Sequence, residues 1–184
     1  MPGQILNLPI LSQLAILMPD TLQTETAFIC WSVSAQQQLS LSDLHGTLTA
    51  QPSHPILLIS GTHGGTLLVF GALLMSTASS STMEKQSQQM MVNRIVQLEP
   101  VHRSFCPPTK DSAYPLLLHN NHTTTLIKMT ADTEDSGVVD LVLDETSRRG
   151  HFAIRNDSRL DQKFCIDAVE ILCVDKGKKR VLFN

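Results

Sequence analysis

Pro55-Ile56-Leu57-Leu58-Ile59-Ser60-Gly61-Thr62-His63-Gly64-Gly65-Thr66-Leu67-Leu68-Val69-Phe70-Gly71-Ala72-Leu73-Leu74-Met75 is the stretch on which the fold turns. It is uncharged and apolar at both ends, and a bilayer span takes about 20 residues. Its middle argues against a span. Paired glycines beside a histidine read as a tight turn between two strands, and no Lys or Arg flanks the stretch to orient it in a membrane. The reading is therefore a β-hairpin, with strands over 55–60 and 66–75. Both strands are continuous apolar runs rather than alternating ones, so each is expected to be covered on both faces, or on one face plus a partner.

Working outward, charge divides the chain. No Lys or Arg precedes Lys85, and the acids up to that point are Asp20, Glu25, Asp43 and Glu84. A solvated domain surface normally carries charges throughout, so this half is either the more buried one or a face that a partner covers. The candidate partner-binding residues are Leu67, Val69 and Leu73, on the outer face of the hairpin. The first twenty residues are apolar, but they lack the basic start of a signal peptide and contain Pro9, so export is not expected. The tripeptides Asn121-His122-Thr123 and Asn156-Asp157-Ser158 match the glycosylation sequon and carry little weight without export.

Leu39, Leu41 and residues 44–49 suggest an earlier strand. Ser81-Thr82-Met83-Glu84 fits a capping box, and Met91, Ile95 and Leu98 recur at helical spacing up to Pro100, which predicts a helix over 83–98. Residues 101–115 read as a loop. Strand signals return over 123–131, 138–143, 151–154 and 164–174, joined by turns at 132–137 and at Arg148-Arg149-Gly150. Strands, one helix and more strands exclude an alternating parallel sheet. The fold class is mainly β, an antiparallel OB-like barrel or sandwich with one helix. All 184 residues form one β domain, with 76–115 as a helix-and-loop insertion between two strand blocks.

Composition narrows the function. Net charge is −3, the isoelectric point about 6.1, and aromatics make up 4% of the chain, which disfavours a wholly basic nucleic-acid binder and any row of stacking platforms. There is no G-x-S-x-G elbow, no phosphate loop ending in Gly-Lys-Ser or Gly-Lys-Thr, and no H-E-x-x-H helix, so an enzyme is not expected. His119, His122, Cys106, Cys165 and Cys173 lack the C-x-x-C spacing of a zinc site, and no metal or other cofactor is expected. Cys165 and Cys173 are an even number of positions apart on one strand, which places them on the same face and out of bonding reach of each other. The cysteines read as free thiols in a reducing compartment, in a domain that folds without staples.

The remaining candidates are basic. Lys176, Lys178, Lys179 and Arg180 follow the last strand, suiting a nuclear import signal, a phosphate-contacting patch or a charged guard on an exposed edge, and Arg148 and Arg149 could extend that patch. The closing strand, Phe164-Cys165-Ile166-Asp167-Ala168-Val169-Glu170-Ile171-Leu172-Cys173-Val174, after a basic hairpin, resembles that of the oligonucleotide-binding (OB) barrels in single-strand-binding and telomere-capping complexes. Residues 41–75, with Leu44-His45-Gly46-Thr47-Leu48 leading into the hairpin, are similar to their opening strands, and the helix from Met83 would be their connecting helix. The resemblance implies a small, non-enzymatic scaffolding subunit of a nuclear complex at chromosome ends or on single-stranded DNA. Its partners would be the protein subunits of that complex, with weak direct single-strand contact and no membrane. The alternative is a structural β-sandwich of the jelly-roll coat type. It ranks lower because residues 1–20 contain no basic arm to package nucleic acid.

Overall fold

Two apolar faces on one strand need two hydrophobic layers, and the computed structural model supplies both. It describes residues 4–17, 26–50, 54–77, 89–106, 113–120, 124–132, 137–155 and 157–175. In chain order the elements are α1 (Leu8–Leu17), β1 (Thr26–Ser34), α2 (Leu41–Ala50), β2 (Ile56–His63), β3 (Thr66–Thr77), β4 (Gln89–Glu99), β5 (Arg103–Phe105), β6 (Tyr114–Pro115), β7 (Leu117–Asn120), β8 (Thr125–Asp132), β9 (Val138–Asp144), β10 (Arg149–Ile154) and β11 (Asp157–Asp175). All pairings among the described strands are antiparallel, in the order β5-β4-β3-β2-β11-β10-β9-β8-β7, with β1 on β11 and β6 on β4. The fold is mainly antiparallel β, as the sequence predicts. The sheet curls without closing. Its two limbs meet where the Tyr114 hydroxyl on β6 donates to Asp132 on β8 at 2.8 Å.

The hairpin of β2 and β3 runs in continuous register from Ile56 opposite Leu73 to His63 opposite Thr66. Gly64 and Gly65 close it with φ of +57° and +82°, the doubly left-handed pair that a two-residue hairpin turn requires. Leu57, Ile59, Leu68, Phe70 and Leu74 point into the concave core, whereas Ile56, Leu58, Val69 and Leu73 belong to an outer layer with Ile10 and Leu14 of α1. The other described helix, α2, plugs the concave side with Leu41, Leu44 and Leu48, all fully buried.

β11 joins the layers. Cys165 lies opposite both Arg149 and Thr62, so β10 and β2 flank it on opposite edges, and β1 follows β10 along the first of these. Against β2 the register slips between Ile166 and Ala168, a bulge at Asp167. Inward-facing residues are therefore Phe164 and Ile166 before it, and Val169, Ile171 and Cys173 after it. The expectation that Cys165 and Cys173 share a face fails for this reason. Cys165 is exposed, and Cys173 is buried and disulfide-bonded to Cys30 on β1, so the reading of free thiols without a staple is corrected for that pair.

Two further expectations are overturned. Residues 89–99 are strand β4 rather than helix, and 78–88, which hold the supposed capping box, lie outside the described residues. The residues at helical spacing do not share a side, since Ile95 packs in the concave core and Leu98 in the outer layer. Bulges break the alternation that would have marked a strand. The register slips between Leu73 opposite Arg94 and Leu74 opposite Val92, leaving Asn93 as an extra residue, so Met90, Val92 and Ile95 all face inward without strict alternation. β4 pairs along its length with β3, and β5 and β6 line its other edge, so 89–106 and 113–115 are part of the sheet rather than an insertion. Conversely, 41–50 is helix rather than an opening strand. Leu41, Leu44 and Leu48 follow helical spacing, and the Ser40 hydroxyl caps the Asp43 N–H at 3.2 Å.

The core holds an aromatic stack, Phe70 against Phe152 at 4.8 Å and against Phe164 at 5.3 Å between ring centres. The Phe164 ring lies over two strand glycines, Gly61 on β2 and Gly150 on β10, where a Cβ on either would overlap it. A ring covering strand glycines restores the packing they lack. Gly150→Ala is expected to push Phe164 out of the stack and cost about 1–3 kcal/mol. Phe164→Ala should cost about 3–5 kcal/mol, and the double variant should be less destabilised than the two losses combined. Urea unfolding of all four proteins measures this, and strict additivity would show that the ring and the glycine do not interact.

Candidate interaction surfaces

An uncharged N-terminal segment can be held on a sheet only if its backbone ends are satisfied, and two charged side chains do this. Glu170 on β11 is fully buried in the outer layer. Its carboxylate accepts the backbone N–H groups of Gln4, Ile5 at 3.1 Å and Leu6 at 3.0 Å. The Asn7 side chain then caps α1 through the Ile10 N–H at 3.0 Å, and Pro9 sits in the first turn, where a missing N–H costs nothing. At the other end the Arg94 guanidinium on β4 donates to the Leu17 carbonyl. An anion before the helix start and a cation at its last carbonyl both suit the helix dipole.

The hairpin surface is therefore occupied from within the chain. Val69 and Leu73 lie buried under α1, and of the three candidate partner residues Leu67 is the exposed one. The outward face moves one layer up, to α1 itself. Leu8, Ser12 and Ile16 form its solvent stripe at four-residue spacing, with Leu8 and Ile16 each 78% exposed on a helix that carries no charge.

The basic candidates separate. Arg148 has φ of +50° and spends its guanidinium on backbone carbonyls, donating to Ile166 at 3.0 Å, Gln37 at 2.6 Å and Ser34 at 2.6 Å. Its own carbonyl accepts the Ile166 N–H at 3.1 Å. It locks the end of β1 and the start of β10 to the bulged section of β11, whereas Arg149 is exposed. Lys176, Lys178, Lys179 and Arg180 lie outside the described residues. The strand from Cys165, opposite Arg149, to Asp175, where the described chain ends, spans about 33 Å. Arg149 and the start of the tail thus leave the sheet at separate places.

The polar outer face of β8, β9 and β10 centres on Asp140. Its carboxylate accepts Thr130 Oγ1 at 2.8 Å, Arg155 Nε at 3.0 Å and Lys128 Nζ at 3.1 Å. Burial on its own raises the Asp140 pKa, but the bonds from Arg155, Thr130 and Lys128 outweigh it and hold the carboxyl below its ordinary value. The Tyr114 hydroxyl is pushed up, first by its bond to Asp132. His151 pairs with Asp161 at 2.6 Å. Among the described residues no three His, Cys, Asp or Glu side chains gather as a metal group, and no helix is long and apolar enough to cross a membrane. His119 is exposed on β7, and His122 lies outside the described residues.

Sequence reasoning missed Glu170, Arg94 and the Arg148 clamp. Signals for two helix starts were present, Ser40-x-x-Asp43 and Asn7 ahead of Pro9, while nothing local marks a glutamate inside an apolar strand as an anchor. No family model and no curated protein matches the chain.

Arg148→Ala is expected to destabilise the fold by about 1–3 kcal/mol, since its charge-assisted bonds to three carbonyls disappear, while Arg149→Ala leaves stability within about 0.5 kcal/mol. Equal denaturant midpoints for the two variants would remove the clamp. Because the Asp140 pKa is depressed on folding, its contribution is full above the unfolded value and disappears as pH falls through the folded one. Asp140→Asn should therefore lower stability near neutrality and flatten its decline in acid, as read from urea midpoints between pH 2 and 7.

Proposed function

We propose that this protein is a non-catalytic β-module, a small subunit that joins a nuclear assembly working at DNA ends or on single-stranded DNA and does so through protein contacts. The observation that carries the reading is the solvent stripe of α1. A helix without a single charge, anchored at both ends, shows Leu8 and Ile16 to solvent, and Leu67 is exposed on the hairpin. Exposed apolar residues that cluster on a positioned element are the usual mark of a protein-binding patch. The depletion of charge through the first half of the chain matches the composition of interface cores. The nucleic-acid side of the proposal rests on Arg149 and on the basic run Lys176, Lys178, Lys179 and Arg180. Net negative charge and scarce aromatics fit a subunit that touches the strand weakly and leaves the grip to its partners.

The test is a paired substitution with two readouts. Leu8→Glu with Ile16→Glu is expected to leave the thermal midpoint within a few degrees and to abolish association, seen as self-association of the purified protein by light scattering and as co-purification of its nuclear partners. In a separate arm, replacing Arg149, Lys176, Lys178, Lys179 and Arg180 by Ala should weaken binding to any single strand equally. Each phosphate that a removed cation had neutralised should reduce the log–log salt slope by about 0.7. Unchanged association after the helix substitutions would end the interface reading. Tight, salt-insensitive binding of single strands by the isolated chain would make it a direct reader instead.

A further inference from the structure

Cys30 is the residue that the β1–β11 ladder leaves out. Ile29 stands opposite Leu172 and Trp31 opposite Ile171, so Cys30 is the extra residue of a bulge, and its sulfur bonds to Cys173 with a Cα–Cα distance of 6.1 Å. The two sulfurs differ in access. Cys173 is 2% exposed, and Cys30 is partly open to solvent.

The bulge also divides β1 into two arms. Residues 31–34 pair with 168–171, bury Val33, and end on Ser34, whose carbonyl is held by Arg148. Residues 26–29 pair with 172–175 and have no such second anchor among the described residues. Phe28 is exposed, and Ile29 only rests against the outer layer. Among the described residues β1 pairs with β11 alone. A short ladder at a sheet edge with little buried surface sits at the low-stability end of a fold. Here the disulfide is what adds to it.

We propose that the Cys30–Cys173 bond is a thiol-operated latch on the first arm of β1. Reduction frees 26–29 and opens the 172–175 edge of β11, while 31–34 stays in place. The thiolate of a small thiol such as glutathione attacks Sγ of Cys30, the open sulfur. The Cys30–Cys173 bond breaks, its electron pair leaves on Cys173 Sγ, and that sulfur takes up a proton. A second glutathione thiolate attacks the glutathione sulfur of the mixed disulfide, which releases Cys30 as a thiol and yields glutathione disulfide, two electrons having passed to the protein. Oxidised glutathione drives the reverse. In a reducing compartment such a bond is intermittent rather than permanent, so the latch rests on the nuclear reading only for which state prevails.

The experiment uses the full chain carrying Cys106→Ser and Cys165→Ser, equilibrated with oxidised or reduced glutathione and followed by amide hydrogen exchange. Reduction should speed exchange by about tenfold or more at 27–29, with 31–34 and the β2–β3 hairpin changing less than about twofold. Limiting glutathione should place its mixed disulfide on Cys30. Cys30→Ser should give the reduced pattern in either buffer, and adding Arg148→Ala should extend the faster exchange to 31–34. The latch is overturned if all of β1 and the hairpin lose protection together, if no amide responds, or if both thiols alkylate fully after oxidation. A protein found outside the nucleus that still shows the two-arm pattern overturns the proposed setting and leaves the latch standing.

Discussion

One strand has to serve two cores, and the bulge at Asp167 is how β11 does it. Before the bulge β11 turns Phe164 and Ile166 inward beside β10. After it Val169, Ile171 and Cys173 face inward, while Ala168 and Leu172 face the outer layer. Without the extra residue, the alternation of a regular strand would send Val169 and Ile171 to the outer face and bring Glu170 into the concave core. The Arg148 clamp fixes this point. Its guanidinium and carbonyl both bond Ile166, and the same side chain holds the ends of the segment leaving β1. A non-glycine residue at φ +50° carries a backbone cost, and the bonds it makes at this junction of β1, β10 and β11 offset it.

The buried carboxylate of Glu170 follows from the same face change. An ionised group in an apolar layer is tolerated only when fully bonded, and the donors available there are backbone N–H groups of a segment distant in sequence. Gln4, Ile5 and Leu6 can reach it only if the N-terminal segment lies across β11, which sends α1 over β2 and β3 toward Arg94 on β4. Electrostatics thus sets the position of α1, and Ile10 and Leu14 supply the apolar contact beneath it. The same arrangement fixes which side of α1 remains outside.

The hairpin and the two-sided burial of its strands were legible because Gly64-Gly65 and two unbroken apolar runs are local signals. The later strands were legible too, with β8, β9 and β10 falling close to their predicted places and β11 beginning at Asp157, seven residues before its predicted start. The elements that were misread share a cause. β4 contains bulges, so its inward residues lose the two-residue period that marks a strand, while α2 is short enough that Leu39 and Leu41 imitate alternation. That the first half of the chain is poor in charge was legible, but not which of its apolar residues stay outside. Val69 and Leu73 have the right chemistry for an interface, and the chain spends them on its own helix. The basic residues show the converse. Arg148 and Arg149 are indistinguishable in sequence, and only the long-range approach of Ser34, Gln37 and Ile166 makes one a clamp and leaves the other exposed.

The charge-poor half therefore contains two kinds of apolar surface. β2 and β3 lack charge because both sheet faces consume their side chains. α1 and the first arm of β1 lack charge and yet lie at the periphery, where Leu8, Ile16 and Phe28 meet solvent. Burial explains the composition of the first set and not of the second. An outer helix needs apolar residues on one side only, and an edge strand is ordinarily guarded by charge. Neither guard is present here. These outward apolar positions are the composition on which the proposed protein-binding surface rests.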